Sequence, residues 1–137
     1  MNILTLPITA ALALAVTPTL TLSASPRNLC AQGNFVYGSG GTTVDAYLQT
    51  SLDGGNTWTD IAEWHFTTAS GRKVYNLNAQ TPQAAGVTPT DGALAANTAQ
   101  DGVLGPRFRV KYVTTGTYAG GTQLSIDLQS DQIASYP

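Results

Sequence analysis

The side chains able to do chemistry are few in this sequence. One histidine (His65) and one cysteine (Cys30) stand beside eight carboxylates and six lysines and arginines. Glu63 precedes His65 by two positions, which in an extended strand puts both on one face. Such a pair can pass a proton, although two side chains on the wet face of a sheet explain the same spacing more plainly. A lone histidine provides no His cluster for zinc and no second imidazole for acid–base work. No G-x-S-x-G elbow supports a serine nucleophile, and no local signature joins Cys30 to His65. The carboxylates Asp45, Asp53, Asp60, Glu63, Asp91, Asp101, Asp127 and Asp131 are scattered along the chain. Asp91 and Asp101 each precede glycine, where a turn accounts for them. A calcium site built from Asp53, Asp60 or the loop carrying Asp91 and Asp101 would lack the D-x-D-x-D-G ligand run. Gly38, Gly40 and Gly41 open no helix and so form no phosphate loop. The residues therefore predict no catalytic centre, no cofactor and no metal, and the chain reads as a non-enzyme.

Arg107, Arg109 and Lys111 alternate along one strand face. They form a candidate interaction surface for an acidic partner or for nucleic acid. Cross-strand pairing, for example with Asp127, and protection of a sheet edge explain the stripe more plainly. A formal net charge of −2 leaves no basic excess, so nucleic acid is not an expected partner.

The stretch Ser51-Leu52-Asp53-Gly54-Gly55-Asn56-Thr57-Trp58 fits S-x-D-x-G-x-T-W. Asp53 can turn its carboxylate back onto following amides, and the two glycines can take positive φ. The motif resembles the Asp-box of sialidases and other BNR-repeat proteins, in which it is a structural hairpin turn. On that resemblance Ser51, Asp53, Gly55, Thr57 and Trp58 are structural residues, with Trp58 sealing the hairpin on the core. A single copy is too few for a propeller of four-stranded blades. The arginine cluster and tyrosine nucleophile of a sialidase also lie outside the box.

The elements around these residues follow a period of two. Leu29 to Tyr37, Val44 to Leu48, Phe108 to Tyr112 and Leu124 to Leu128 alternate apolar with polar residues, as antiparallel strands with one wet face do. Trp58 to Phe66 is strand-like, but Ile61 is out of phase, which predicts a bulge near Asp60. Short strands are expected near Ile3–Leu6 and Thr19–Ala24. Gly38–Gly41 and Gly116–Gly121 read as hairpin turns. Tyr37–Thr42 and Tyr118–Thr122 echo one another in residue type, each leading into an alternating strand. The Pro-, Gly- and Ala-rich connection at about 79–106 either holds a short helix over Ala93–Gln100, capped by Asp91, or is a long loop of the kind that packs on a partner. The predicted fold is all-β, an antiparallel sandwich with jelly-roll connections as one arrangement. Phe35, Leu48, Trp58, Trp64, Phe108, Val110 and Ile126 are its expected core. Residues 27–137 would form the sandwich, with residues 1–26 as an apolar assembly contact or its first strands.

At 137 residues the chain is sized for one domain, yet only 10% of it is charged, against roughly 25% in ordinary soluble domains. So little charge favours self-association or burial in an assembly. A single cysteine rules out an internal disulfide, fits a reducing cytosol, and as a free thiol is expected buried. Ile8–Val16 is apolar, but no Lys or Arg precedes Arg27, so residues 1–25 read as mature protein; export is the alternative. The run is also too short to span a bilayer, and no membrane partner is expected.

Ser51–Thr68 and Asp101–Leu128 together resemble the small β-sandwich structural proteins of tailed bacteriophage heads and tails. The resemblance implies a non-enzymatic virion component made in the host cytoplasm: a decoration or cement protein of the capsid, or a neck or tail part. Its implied partners are major capsid, neck or tail proteins and further copies of itself. Loss of residues 1–18 is then expected to abolish incorporation into the particle. The competing expectations are a carbohydrate-binding module, with Tyr37, Tyr47, Tyr75 or Tyr118 stacking on sugar, and an exported surface protein.

Overall fold

The computed structural model describes residues 1–135, which form twelve strands and no helix. They are β1 (Asn2–Pro7), β2 (Ala15–Val16), β3 (Leu20–Leu22), β4 (Asn28–Val36), β5 (Ser39–Gly40), β6 (Thr43–Ser51), β7 (Thr59–Phe66), β8 (Gly71–Asn78), β9 (Arg107–Thr115), β10 (Tyr118–Ala119), β11 (Gln123–Ser130) and β12 (Ala134–Ser135). One sheet runs β1-β11-β4-β8 and the other β12-β3-β9-β6-β7, with β2 also on the β9 edge. Every pairing is antiparallel. Setting aside the two-residue strands β5, β10 and β12, and counting β2 with β3 as one interrupted edge strand, leaves eight principal strands. In that count one sheet has the order 1-8-3-6 and the other 2-7-4-5, which is the jelly roll. The sequence expectation of an antiparallel sandwich is met, and its jelly-roll form is the one adopted.

Alternation along the strands builds the core between the two sheets. Leu29, Ala31 and Phe35 of β4 and Leu124, Ile126 and Leu128 of β11 are buried from one side. Val44, Ala46 and Leu48 of β6, Trp64 of β7, and Phe108 and Val110 of β9 meet them from the other. Gly33 leaves room for the Trp64 indole: a Cβ there would lie 2.6 Å from the ring. Phe35 stacks on Phe66 with centroids 5.0 Å apart, and Tyr118 meets Phe35 edge-on at 6.0 Å.

Several local expectations are corrected. Trp58 is only half-buried and packs outside the core, under Arg109. The glycine turns at 38–41 and 116–121 are not hairpins within a sheet; each carries the chain from one sheet to the other. They pair with one another instead, as β5 with β10, and Gly38 donates to Thr122 Oγ1 at 2.9 Å. The residue echo thus marks two crossovers zipped together at one end of the sandwich. Cys30 is exposed, on the outer side of β4, because its neighbours Leu29 and Ala31 take the core side. No helix forms over 93–100; that segment runs beside β7 as irregular backbone. Strand β8 has no clear apolar alternation, because only Leu77 is fully buried along it.

Residues 1–26 contribute strands to both sheets: β1 pairs with β11, and β2 and β3 pair with β9. Ile8 is fully buried, whereas Ala10, Ala11, Ala13, Leu14 and Val16 are exposed.

Candidate functional site

The polar side chains of the chain converge on the outer face of the β9-β6-β7 sheet, and the Asp-box hairpin sets which of them meet. Between β6 and β7, Asp53 receives Thr57 N at 2.8 Å, Thr57 Oγ1 at 2.7 Å and Ser51 Oγ at 2.9 Å. Ser51 Oγ accepts the Gly55 amide at 2.8 Å, and Gly54 and Gly55 take φ of 75° and 95°. These donors favour the charged form and hold the Asp53 carboxyl down to about 2. Further along, the register shifts between Leu48 and Gln49, leaving Ile61 as the extra residue of β7. Asp60 pairs with Gln49 on the turn side of the bulge, and beyond it the shift brings His65 opposite Asp45.

The basic stripe faces this same surface. Arg107 donates to Gly54 O at 2.7 Å and braces the turn. Arg109 lies 4.4 Å over the Trp58 ring and donates Nε to Gln49 Oε1 at 2.7 Å. Lys111 pairs with Asp91 at 3.0 Å, and Arg109 reaches the same oxygen at 3.8 Å. Their acidic neighbour is Asp91 of the long connection. Asp127 lies in the other sheet, where Asn2 Nδ2 donates to it at 3.0 Å. A hydrogen bond from Gln49, followed by Lys111, lowers the Asp91 carboxyl below its ordinary range.

Residues 79–106 cover the free edge of β7. Asp60 N donates to Thr90 O, Glu63 N to Thr98 O, and Gln100 N to Ile61 O, each at 2.9 Å. Asp60 is buried and accepts the amides of Gly92, Ala93 and Leu94 as well as Thr90 Oγ1. Asp101 likewise holds Asn78 N at 2.6 Å and Thr81 Oγ1 at 2.9 Å. The Asn78 amide is the main reason its carboxyl is lowered. Asp53, Asp60 and Asp101 thus spend their oxygens on the chain's own donors.

One cluster is different. Asp45, Glu63 and His65 bring their ligand-capable atoms within 4.8 Å of one another. His65 Nδ1 lies 2.6 Å from Asp45 Oδ1. Glu63 is 1% exposed, so it is no surface residue; its Oε2 accepts the Asn97 amide while its Oε1 is buried without a hydrogen-bond partner. Burial pushes the Glu63 carboxyl up to about 7; the Asn97 amide opposes this, and Asp45 adds to it. Burial also raises the Tyr47 hydroxyl, with Asp45, Glu63 and Asp60 contributing. Asn97 has φ 56°, the one positive value outside glycine among the described residues. Its Oδ1 accepts His65 N at 3.0 Å and Lys73 Nζ at 2.6 Å, which fixes the cluster to both β8 and the connection. Chemically, the group can hold a shared proton or a cation. The spacing of Glu63 and His65 is readable in sequence; Asp45 joins them only through the bulged register, and no sequence signal marks Asn97.

The tyrosines expected on a sugar-binding surface do not share one face. Tyr118 is fully buried and donates to Thr67 O at 2.8 Å. Tyr75 donates to Glu63 O at 2.6 Å and packs edge-on against Trp64, and Tyr37 donates to Gly40 O at 2.9 Å. Tyr47 is half-buried beside Glu63.

No family model matches the chain. No curated protein matches it in sequence either. Its fold is similar to that of a chain in the cryo-EM structure of Broad Bean Stain Virus, with a TM-score of 0.48 and 11% identity, over 100% of this chain and 88% of that one.

Proposed function

We propose that this protein is a non-enzymatic structural subunit of a virion, a decoration or cement protein of a tailed-phage capsid or a part of its neck or tail. The observation that carries the reading is the apolar segment at the β2 edge of a jelly roll. Jelly rolls serve viral capsids, lectins and cupins alike, so the fold alone does not choose among them. The edge does. Leu14 is 55% and Val16 46% exposed, beside exposed Ala10, Ala11 and Ala13, in a chain with little charge to keep copies apart. Such a strip is covered at low cost by another subunit. A sugar-binding role draws no support from Tyr37, Tyr75 and Tyr118, whose rings and hydroxyls serve the fold.

Loss of residues 1–18 would remove β1 and β2, so it tests folding as much as assembly. The cleaner test is the double substitution Leu14→Asp and Val16→Asp, at exposed positions. Sedimentation should find the unaltered chain oligomeric or bound to purified particles. The double variant should keep its circular dichroism and lose that association. A monodisperse monomer absent from particles would sink the reading, as would a double variant that associates normally.

A further inference from the structure

We propose that Asp45, Glu63 and His65 form a binding site for one divalent metal ion of the zinc type. The inference does not depend on the virion reading. Three observations converge on it. The donor set mixes one imidazole nitrogen with two carboxylates, and its atoms already lie within 4.8 Å of one another. That combination suits Zn²⁺, which accepts His and Asp or Glu ligands in a compact tetrahedron. Glu63 Oε1 is buried and receives no donor; it faces the Asp45 carboxylate, which it can meet only through a proton or a cation. A buried carboxylate oxygen without a donor is costly, and a cation satisfies it.

The third observation is the support behind the ligands. Glu63 Oε2 is already held by the Asn97 amide, which leaves Oε1 as the free ligand atom. Asp45 and His65 are directly opposite in the β6–β7 ladder, so their spacing is fixed by backbone pairing. Their side chains are 22% and 31% exposed, which gives an ion an entry path and a position for water. Without metal, the 2.6 Å contact between His65 Nδ1 and Asp45 Oδ1 is bridged by a proton. In a neutral ring, coordination at Nδ1 leaves the ring proton on Nε2, and nitrogen and oxygen then both face the ion. Lys73 is the neighbouring cation, occupied by His65 O and Asn97 Oδ1. A bound ion would clamp β6 to β7 and, through Asn97, tie the 79–106 connection to the sheet.

The test is calorimetric titration of Zn²⁺ into the tag-free full chain after chelator treatment and dialysis. Visible spectra with Co²⁺ would report the coordination number. One equivalent should bind per chain, with a four-coordinate Co²⁺ spectrum. Glu63→Gln and His65→Asn, each checked for folding by circular dichroism, should weaken Zn²⁺ by at least about tenfold. Glu63→Gln keeps an oxygen for Asn97 N and can donate to Asp45, so it should fold. No binding up to millimolar Zn²⁺ would overturn the site, leaving a proton shared by the cluster. Binding retained by both variants, or lost in Cys30→Ser, would overturn it too by placing the ion elsewhere.

Discussion

Asp60 and Gly92 are joined across 32 positions of sequence: the Gly92 amide lies 2.9 Å from both carboxylate oxygens of Asp60. Ala93 N and Leu94 N follow onto Oδ2, so three successive amides close on one buried carboxylate. Thr90 Oγ1 and Gln49 Nε2, each at 2.8 Å, bring the donors to five. This is how a connection without helix or strand stays on the β7 edge, where unpaired strand groups would otherwise be open to other chains. Asp60→Ala strands those donors in a buried setting. The expected loss is about 2–4 kcal/mol, read from urea denaturation. Amide exchange should quicken across residues 90–98 more than in β4 or β11. Uniform quickening would mean that Asp60 supports the whole fold and not this connection.

Gly33 makes a second, purely steric prediction. The Trp64 indole lies where a Cβ would stand, 2.6 Å from Cδ1, and its Nε1 is tied to Lys73 O at 3.0 Å. The ring is rigid and fully buried, so it cannot swing away as a flexible side chain would. Gly33→Ala should destabilise by about 1–3 kcal/mol, the usual range for overpacking. Gly54→Ala tests a different constraint, since nothing lies within 4 Å of its Cβ position and only φ of 75° opposes it. Its loss should be smaller, about 1 kcal/mol. Equal losses would show that crowding at Trp64 is relieved by a backbone shift.

Glu63 should give metal-free protein an unusual pH response. Its carboxyl is raised from 4.5 to about 7, mainly by burial, so the folded state holds a proton that the unfolded chain releases. Stability should therefore fall as pH rises from about 4.5 through 7, the reverse of an ordinary paired carboxylate. Glu63→Gln mimics the protonated form and should flatten that decline, overtaking the unaltered chain above neutral pH. Denaturation midpoints in chelator across this range would check it. A decline identical in both proteins would assign it to other groups.

The two-residue periodicity made the sandwich legible, because a strand with one face in the core must alternate. It also exposed the bulge, since Ile61 breaks the phase between Trp58 and Trp64. The site was half legible for the same reason. Without the bulge, pairing outward from Thr50 and Thr59 would set Val44 against His65; with it, Asp45 arrives there. What stayed hidden depends on contacts between distant segments. Nothing local distinguishes Asn97 in a run of Ala, Asn and Thr; its contacts are to Glu63, His65 and Lys73, all distant in sequence. The glycine turns misled because a crossover between sheets needs the same residues as a hairpin. Trp58 misled because the bulge moves it to the outer face, where Arg109 covers it.

The Asp-box itself carries the last prediction. Asp53 is lowered from 3.8 to about 2, with the hydroxyl and amide of Thr57 the largest causes. A depressed acid stabilises the fold above its unfolded value and loses that contribution as pH falls through the folded one. Here the window runs from about 3.8 down to about 2. Asn at 53 keeps an oxygen for Thr57 N but offers Thr57 Oγ1 an amide in place of the second carboxylate oxygen. Asp53→Asn should therefore be less stable near neutral pH and converge on the unaltered chain near pH 2. Asp91 and Asp101 are lowered as well, but they are common to both proteins and cancel in the difference. Urea midpoints measured from about pH 6 to 2 give the comparison. A gap that stays constant to the lowest pH would show that Asp53 acts through turn geometry and not through its charge.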